Sequence, residues 1–325
     1  MQGWCVEPTA VTPTTLSVHG KAGKARHPGY YRARQARDRM SFVLLAAPAV
    51  VWFVVMMVWP IANMLQVSTL KWNGLIQPKT SIGLGNYARM FLDDPRFYRA
   101  LANTGKHLMV GVPAVLPLAF ALGFFLSQRR PGYRVLRTIF FAPAMISAAG
   151  IALMFTGIYM PDGILNSALR TVGLGGLTRL WIGDPATALW AVIAADIWAS
   201  IGYQSVLFFS VLSGTPHELY EAARIDGATS WTVMWRIAFP LCLDFFGVAA
   251  TLRVLWILLG SAQVVLLLTQ GGPGDHSLTI GYYLYREAFL SQRLGYSQSL
   301  AVFTFVTGVI AIVVIRRLTR RSYAL

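Results

Sequence analysis

The sequence predicts an all-α integral membrane protein with six transmembrane helices, on two observations. The 325 residues are 55% hydrophobic and only 13% charged, where a soluble domain carries roughly 25% charged residues. The shortfall is also concentrated, as expected when lipid is the solvent. No Asp, Glu, Lys or Arg stands between Arg39 and Lys71, Lys106 and Arg129, Arg137 and Asp162, or Arg293 and Arg316. Two more apolar runs enclose Asp196 and Arg253.

In chain order, residues 1–40 form a basic N-terminal tail, rich in Pro, Thr, Gly and Arg and without apolar periodicity. The six-span domain covers 41–316, with spans expected at about 41–63, 106–127, 136–158, 187–212, 241–266 and 297–316. Each meets the requirement of about 20 apolar residues for crossing the hydrocarbon core. The first is too long for a signal-peptide core and lacks a small-residue cleavage site, so it reads as an uncleaved span. Residues 317–325 are a short tail. The connection 64–104 is long enough to hold short helices and to meet a partner outside the membrane. The connection 159–186 reads as a turn, a short helix around 165–172 and a second turn.

An even number of spans puts both termini on one side. Seventeen Lys/Arg then fall on the side of the termini and ten on the other, so the positive-inside rule assigns both termini to the cytoplasm. The net charge of +15 is read as membrane-flanking charge that meets anionic lipid rather than nucleic acid. Cys5 and Cys242 are the two cysteines and imply no disulfide framework. No His/Cys cluster has metal-ligand spacing, no nucleophile–base constellation is readable, and the halves show no inverted repeat of the kind secondary carriers use.

Residues 213–240 are a polar loop dense in helix signals. Thr215-Pro216-His217-Glu218 fits a capping box with Thr215 as N-cap and Glu218 reaching back. A short helix through Glu221-Ala222-Ala223-Arg224 should break at Gly227, and Thr229 or Ser230 can cap a second helix. There Trp231, Met234, Trp235 and Ala238 have the spacing of one apolar face, and Pro240 opens the fifth span. The two alanines permit close approach and Glu221 offers a carboxylate to a basic partner. An amphipathic connector lying on the membrane is the alternative.

Within the spans, Asp196, Ser200, Tyr203 and Gln204 share a helical face, and carboxylates beside aromatic rings suit sugars. Ionisable groups in a membrane are functional candidates by default. Asp196 therefore has three readings: an ion pair with Arg253, a place in a substrate pathway, or a helix-interface hydrogen bond. Gln263 is equally open. His107 and His276 are read as surface or interface residues.

Glu221-Ala222-Ala223, Gly227 and Ile237-Ala238-Phe239-Pro240 match the EAA---G---------I-LP signature, with Phe239 in place of the usual leucine. The usual second proline is replaced by Asp244. By these residues the chain resembles permease subunits of binding-protein-dependent ABC importers. Pro216-His217-Glu218-Leu219-Tyr220 and Ile225-Asp226-Gly227-Ala228 are similar to the sugar subclass, typified by maltose and glycerol-phosphate permeases. Gly83-Leu84-Gly85-Asn86-Tyr87, Gly163-Ile164-Leu165-Asn166 and Leu268-Thr269-Gln270-Gly271-Gly272-Pro273-Gly274 extend the likeness from about residue 41 to the end.

The resemblance implies the type I ABC importer permease (MetI-like) fold in a bacterial inner membrane, and a transport subunit rather than an enzyme. It implies four kinds of partner: a second homologous permease, an ATPase dimer, an extracytoplasmic substrate-binding protein and membrane lipid. Glu221, Ala222, Ala223, Asp226 and Gly227 take the ATPase-coupling role by position. The chain has no GxxxxGK[ST] run, so ATP and Mg are bound by the partner ATPase and no cofactor by this chain. The implied cargo is a di- or oligosaccharide, an amino sugar or a similar carbohydrate. Glycerol-3-phosphate, glycerophosphodiesters and an ion-coupled carrier remain the alternatives.

Overall fold

The computed structural model describes residue 40 and residues 44–74, 76–128 and 131–319. The expectations for the basic tail, for Cys5, for Arg129 and Arg130 and for the chain after Thr319 lie outside the described residues. Among those described, six helices are long and apolar enough to cross a membrane: Leu44–Ser68, Pro95–Ser127, Ala148–Thr171, Ala188–Ser213, Leu243–Gly260 and Leu294–Thr319. The only strands among them, Leu70–Lys71 and Thr80–Ser81, form one antiparallel pair with Leu70 opposite Ser81.

Contact density divides the chain after Pro60. The first unit, where described, is helical from Leu44 with a π-helical turn at Val54–Val58. That turn lies just before Pro60, whose missing N–H removes a bond from the α-helical ladder. A second π-helical turn, Met234–Ala238, lies in the same relation to Pro240.

The second unit begins at Ile61. Its longest helix, Pro95–Ser127, starts eleven residues before the expected 106. The reason is local. The Asp94 side chain accepts from Arg96 N at 3.0 Å, and Pro95 occupies the first helical position, where a missing N–H costs nothing. Tertiary bonds then hold the extension. Asn103 Nδ2 donates to the carbonyls of His276 at 3.0 Å and Leu278 at 2.9 Å, and Ile280 N donates to Thr104 Oγ1 at 2.9 Å. Asp94 also accepts from the hydroxyls of Tyr283 and Tyr296. Burial, and then that carboxylate, hold the Tyr283 phenol above its ordinary pKa. Asn103→Ala is expected to lower unfolding free energy by about 1–3 kcal/mol, because buried carbonyls lose their donor. A thermal midpoint equal to wild type would contradict this.

The expected continuous third span, 136–158, is corrected by the structure. It is two helices, Tyr133–Met145 and Ala148–Tyr159, separated at Ile146-Ser147. Pro143 lies inside the first of them, Ile146 is extended, and Ser147 caps the second by accepting from Gly150 N at 3.2 Å. A hydropathy count sees only that these residues are apolar; proline and a serine cap redirect the backbone. A further turn at Met160–Gly163 leads to the short helix Ile164–Thr171, where the sequence placed one. The fifth span runs Leu243–Leu255, then a π-helical turn Trp256–Gly260, then Ala262–Leu268. The sixth, Leu294–Thr319, is longer than 297–316 at both ends.

Two apolar clusters hold this unit together. One joins Phe97, Phe155, Val192, Leu278, Tyr283 and Leu300. The other joins Phe120, Phe124, Phe208, Leu212, Tyr220 and Met234. Phe120 sits at the centre of the second, its ring 5.7 Å from Phe208 and 5.1 Å from Phe246. In lipid such contacts act through close packing and dispersion, since leaving water is no longer the driving force.

Candidate functional site

A cavity of about 570 Å³ lies between the fourth span, the fifth span and the break in the third. It lies within the range of roughly 300–1,000 Å³ usual for small-molecule sites. Asp196, Ser200, Tyr203, Gln204, Arg253 and Gln263 all line it, together with Trp256 and with Pro143, Ile146 and Ala148 from the break. The shared face read from helical spacing on the fourth span therefore meets the fifth span across one space.

The chemistry centres on Asp196, which is 1% exposed. One carboxylate oxygen, Oδ2, accepts from Arg253 Nη2 at 2.6 Å and from His107 Nε2 at 2.8 Å. The other, Oδ1, accepts from Trp256 Nε1 at 2.7 Å. Arg253 Nη1 donates to Ser200 Oγ at 2.6 Å. Because a carboxylate only accepts, the His107 proton facing it sits on Nε2. A charge taken from water needs this density of partners.

Of the three readings open for Asp196, the ion pair with Arg253 is formed, and both residues still line the cavity. Two members of the cluster were missed. His107, read as a surface or interface residue, is fully buried and bonded to Asp196. It was placed at the expected start of a span, and the longer helix puts it in the interior. Trp256 carried no signal beyond being one apolar residue among many. Its role follows from a partner 60 residues away.

Outside the spans, His217–Ile225 is a helix and Glu221, Ala222 and Ala223 sit on it. Glu221, Ala222 and Asp226 are exposed and Ala223 is half-buried. Tyr220 is the anchor: it is 2% exposed and its ring lies 6.3 Å from that of Phe124. Arg224 donates to Gln128 Oε1. The helix ends in a Schellman arrangement, with Gly227 N bonded to Arg224 O at 3.0 Å and Ala228 N to Ala223 O at 2.9 Å. Gly227 has φ +79° and open space where a Cβ would stand, so backbone conformation alone demands glycine there.

Two local expectations are corrected. The N-cap is Pro216, with no side-chain capping bond, rather than Thr215. Thr215 N is already bonded to Leu212 O at 3.2 Å, which makes it part of the end of the fourth span. Of the expected face, Met234 and Ala238 are buried and the Trp235 ring lies 5.8 Å from that of Phe120, but Trp231 is 68% exposed and Val233 is buried in addition. The π-helical turn at Met234–Ala238 adds a residue to the turn and so shifts the apolar register. Thr229 caps the second helix as expected, accepting from Thr232 N at 3.2 Å.

Apolar spans around a cavity that sets a few polar side chains among apolar ones, with an ordered helix exposed between the fourth and fifth, make a multi-span helical membrane protein of the kind that permeases represent. Residues 115–322 match the family of binding-protein-dependent transport system inner membrane components, and the chain belongs to that family. It is 35% identical over 268 residues to the probable ABC transporter permease protein YurN of Bacillus subtilis, covering 81% of this chain and 90% of that one. It is 30% identical over 311 residues to the diacetylchitobiose uptake system permease protein NgcF of Streptomyces coelicolor, covering 89% and 86%. Its fold matches a chain of the bacterial alginate ABC transporter, solved in complex with alginate pentasaccharide-bound periplasmic protein. The TM-score is 0.74, with 22% identity over 88% of this chain and 96% of that one. The chain is a transport subunit, not an enzyme.

Proposed function

We propose that this chain forms one side of the membrane pathway through which an ATP-driven importer moves a carbohydrate. An extracytoplasmic binding protein delivers the cargo. The pathway runs through the cavity at Asp196, Ser200, Tyr203, Gln204, Arg253 and Gln263. Both termini lie in the cytoplasm of a bacterium, and a second homologous permease completes the pathway. A pair of ATPase subunits binds ATP and Mg. Their closure is passed to the spans through Glu221, Ala222, Ala223, Asp226 and Gly227.

The observation that carries the reading is the cavity itself. It is of saccharide size, with a tyrosine, a tryptophan and amide side chains on its wall. The charges of Asp196 and Arg253 balance within one ion pair, which suits an uncharged polyol better than a phosphate ester. The sugar-transporting relative supports the same class of cargo.

The test is uptake of radiolabelled sugars by cells whose partner ATPase carries a substitution of its catalytic glutamate. Uptake is expected to stop. Persistence of uptake driven by a proton gradient would overturn the importer reading.

A further inference from the structure

Ten Lys/Arg fall on the side of the membrane opposite the termini, where the positive-inside rule disfavours them. Three of them surround one small pocket. Lys71 comes from the first strand, Arg89 from the π-helical turn Arg89–Asp93 and Arg293 from the approach to the sixth span. Trp72, Asn73, Asn86 and Tyr296 complete its polar wall. A fourth cation, Lys79, lies over the Trp72 ring at 4.1 Å, and the Arg89 guanidinium lies over Tyr296 at 4.6 Å.

No carboxylate lines the pocket among the described residues. Glu287 reaches Arg293 at 3.4 Å, yet the Arg293 side chain is still 42% exposed. Asp94 bonds the Tyr296 hydroxyl and is itself buried. Lys71 and Arg89 are exposed. The site is therefore cationic and open to a partner.

It is also built rigidly. Asn86 Nδ2 donates to Ser68 O at 2.8 Å and to Leu70 O at 2.9 Å. Gly295 N donates to Trp72 O at 3.1 Å. A Cβ on Gly295 would come within 1.9 Å of Leu70 O, so only glycine lets the strand lie against the start of the sixth span. The volume, about 170 Å³, is below the roughly 300–1,000 Å³ of small-molecule sites. It fits the head of one acidic group and is too small for a saccharide.

We propose that this pocket is an anchor for the extracytoplasmic binding protein, receiving a carboxylate from an acidic patch on that protein's surface. The inference rests on the orientation and the binding-protein dependence given under the proposed function. Ile82, which lines the pocket and is 38% exposed, adds an apolar surface for the same contact. Charged anchors of this kind set encounter rate and register and weaken with salt.

The complete transporter, purified in phosphatidylcholine nanodiscs, is titrated with its cognate binding protein at several salt concentrations. The double variant Lys71→Glu/Arg89→Glu is expected to weaken docking by about tenfold or more and to flatten its salt dependence. ATP hydrolysis without binding protein is expected to stay at the wild-type rate, which confirms assembly. The conservative pair Lys71→Arg/Arg89→Lys should dock normally. Unchanged affinity and salt dependence in the double variant would overturn the proposal. So would a difference seen only when phosphatidylglycerol is added, which would assign the pocket to a lipid headgroup. Failure of the wild-type complex to respond to any binding protein would instead count against the transport reading itself.

Discussion

Gly227→Pro is expected to abolish coupled uptake while leaving a membrane-inserted, full-length chain. The residue has φ +79°, whereas proline fixes φ near −65°, so the two conformations exclude each other. Proline also removes the N–H that bonds Arg224 O at 3.0 Å. The combined local cost is about 3 kcal/mol or more. That is enough to unwind the end of a nine-residue helix, because short helices have little intrinsic stability. The six apolar spans lie outside the altered turn, so insertion and yield should persist.

Gly227→Ala provides a graded control, since a left-handed alanine costs only about 1–2 kcal/mol. The measurement is ATP hydrolysis and substrate uptake in proteoliposomes of the whole complex. Hydrolysis without uptake in the proline variant, with partial uptake in the alanine variant, is the expected pattern. Full uptake by the proline variant would remove Gly227 and its helix from the coupling route.

Asp196→Asn carries the second large effect. Arg253 is 1% exposed and Asp196 is its sole carboxylate partner among the described residues. Neutralising Asp196 strands a buried cation, which costs about 3–5 kcal/mol. The amide also brings hydrogens into a site where His107, Arg253 and Trp256 all donate. A marked fall in the thermal midpoint of the purified complex and a loss of uptake are expected.

Asp196→Asn/Arg253→Gln separates scaffold from pathway. Removing both charges should restore most of the lost stability, because the stranded cation is gone. Recovery of uptake along with stability would make the pair a helix lock. Restored stability with uptake still absent would place the two side chains in the pathway. A single Asp196→Asn variant as stable as wild type would contradict the burial argument altogether.

What could be read in the sequence followed from how each signal arises. Charge-free runs of some 20 residues report exposure to lipid, and they located the six apolar segments, though not the break inside the third or the π-helical turn inside the fifth. Gly227 was legible because a left-handed residue is so often glycine, and Thr229 because a short hydroxyl side chain caps helices. The capping box at Thr215 failed because the same residue also completed the preceding helix, and sequence spacing cannot arbitrate between two uses of one amide. The break at Ile146-Ser147 was hidden by its apolar surroundings. His107 was misplaced because the Asp94 cap and Pro95 start its helix earlier than hydropathy shows, and Asn103 and Thr104 hold that extension by bonding residues some 175 positions away.

The sequence by itself determined the membrane class, the number of apolar spans, the family signature and the polar face Asp196–Ser200–Tyr203. These are short-range or compositional properties, written in hydropathy and local backbone preference. Only the tertiary structure decided that Arg253, His107 and Trp256 converge on Asp196. It alone opened the third span beside them and gathered Lys71, Arg89 and Arg293 into one pocket. The physical reason is the same in each case: these contacts join residues far apart in the chain, and their geometry exists only once the helices have packed.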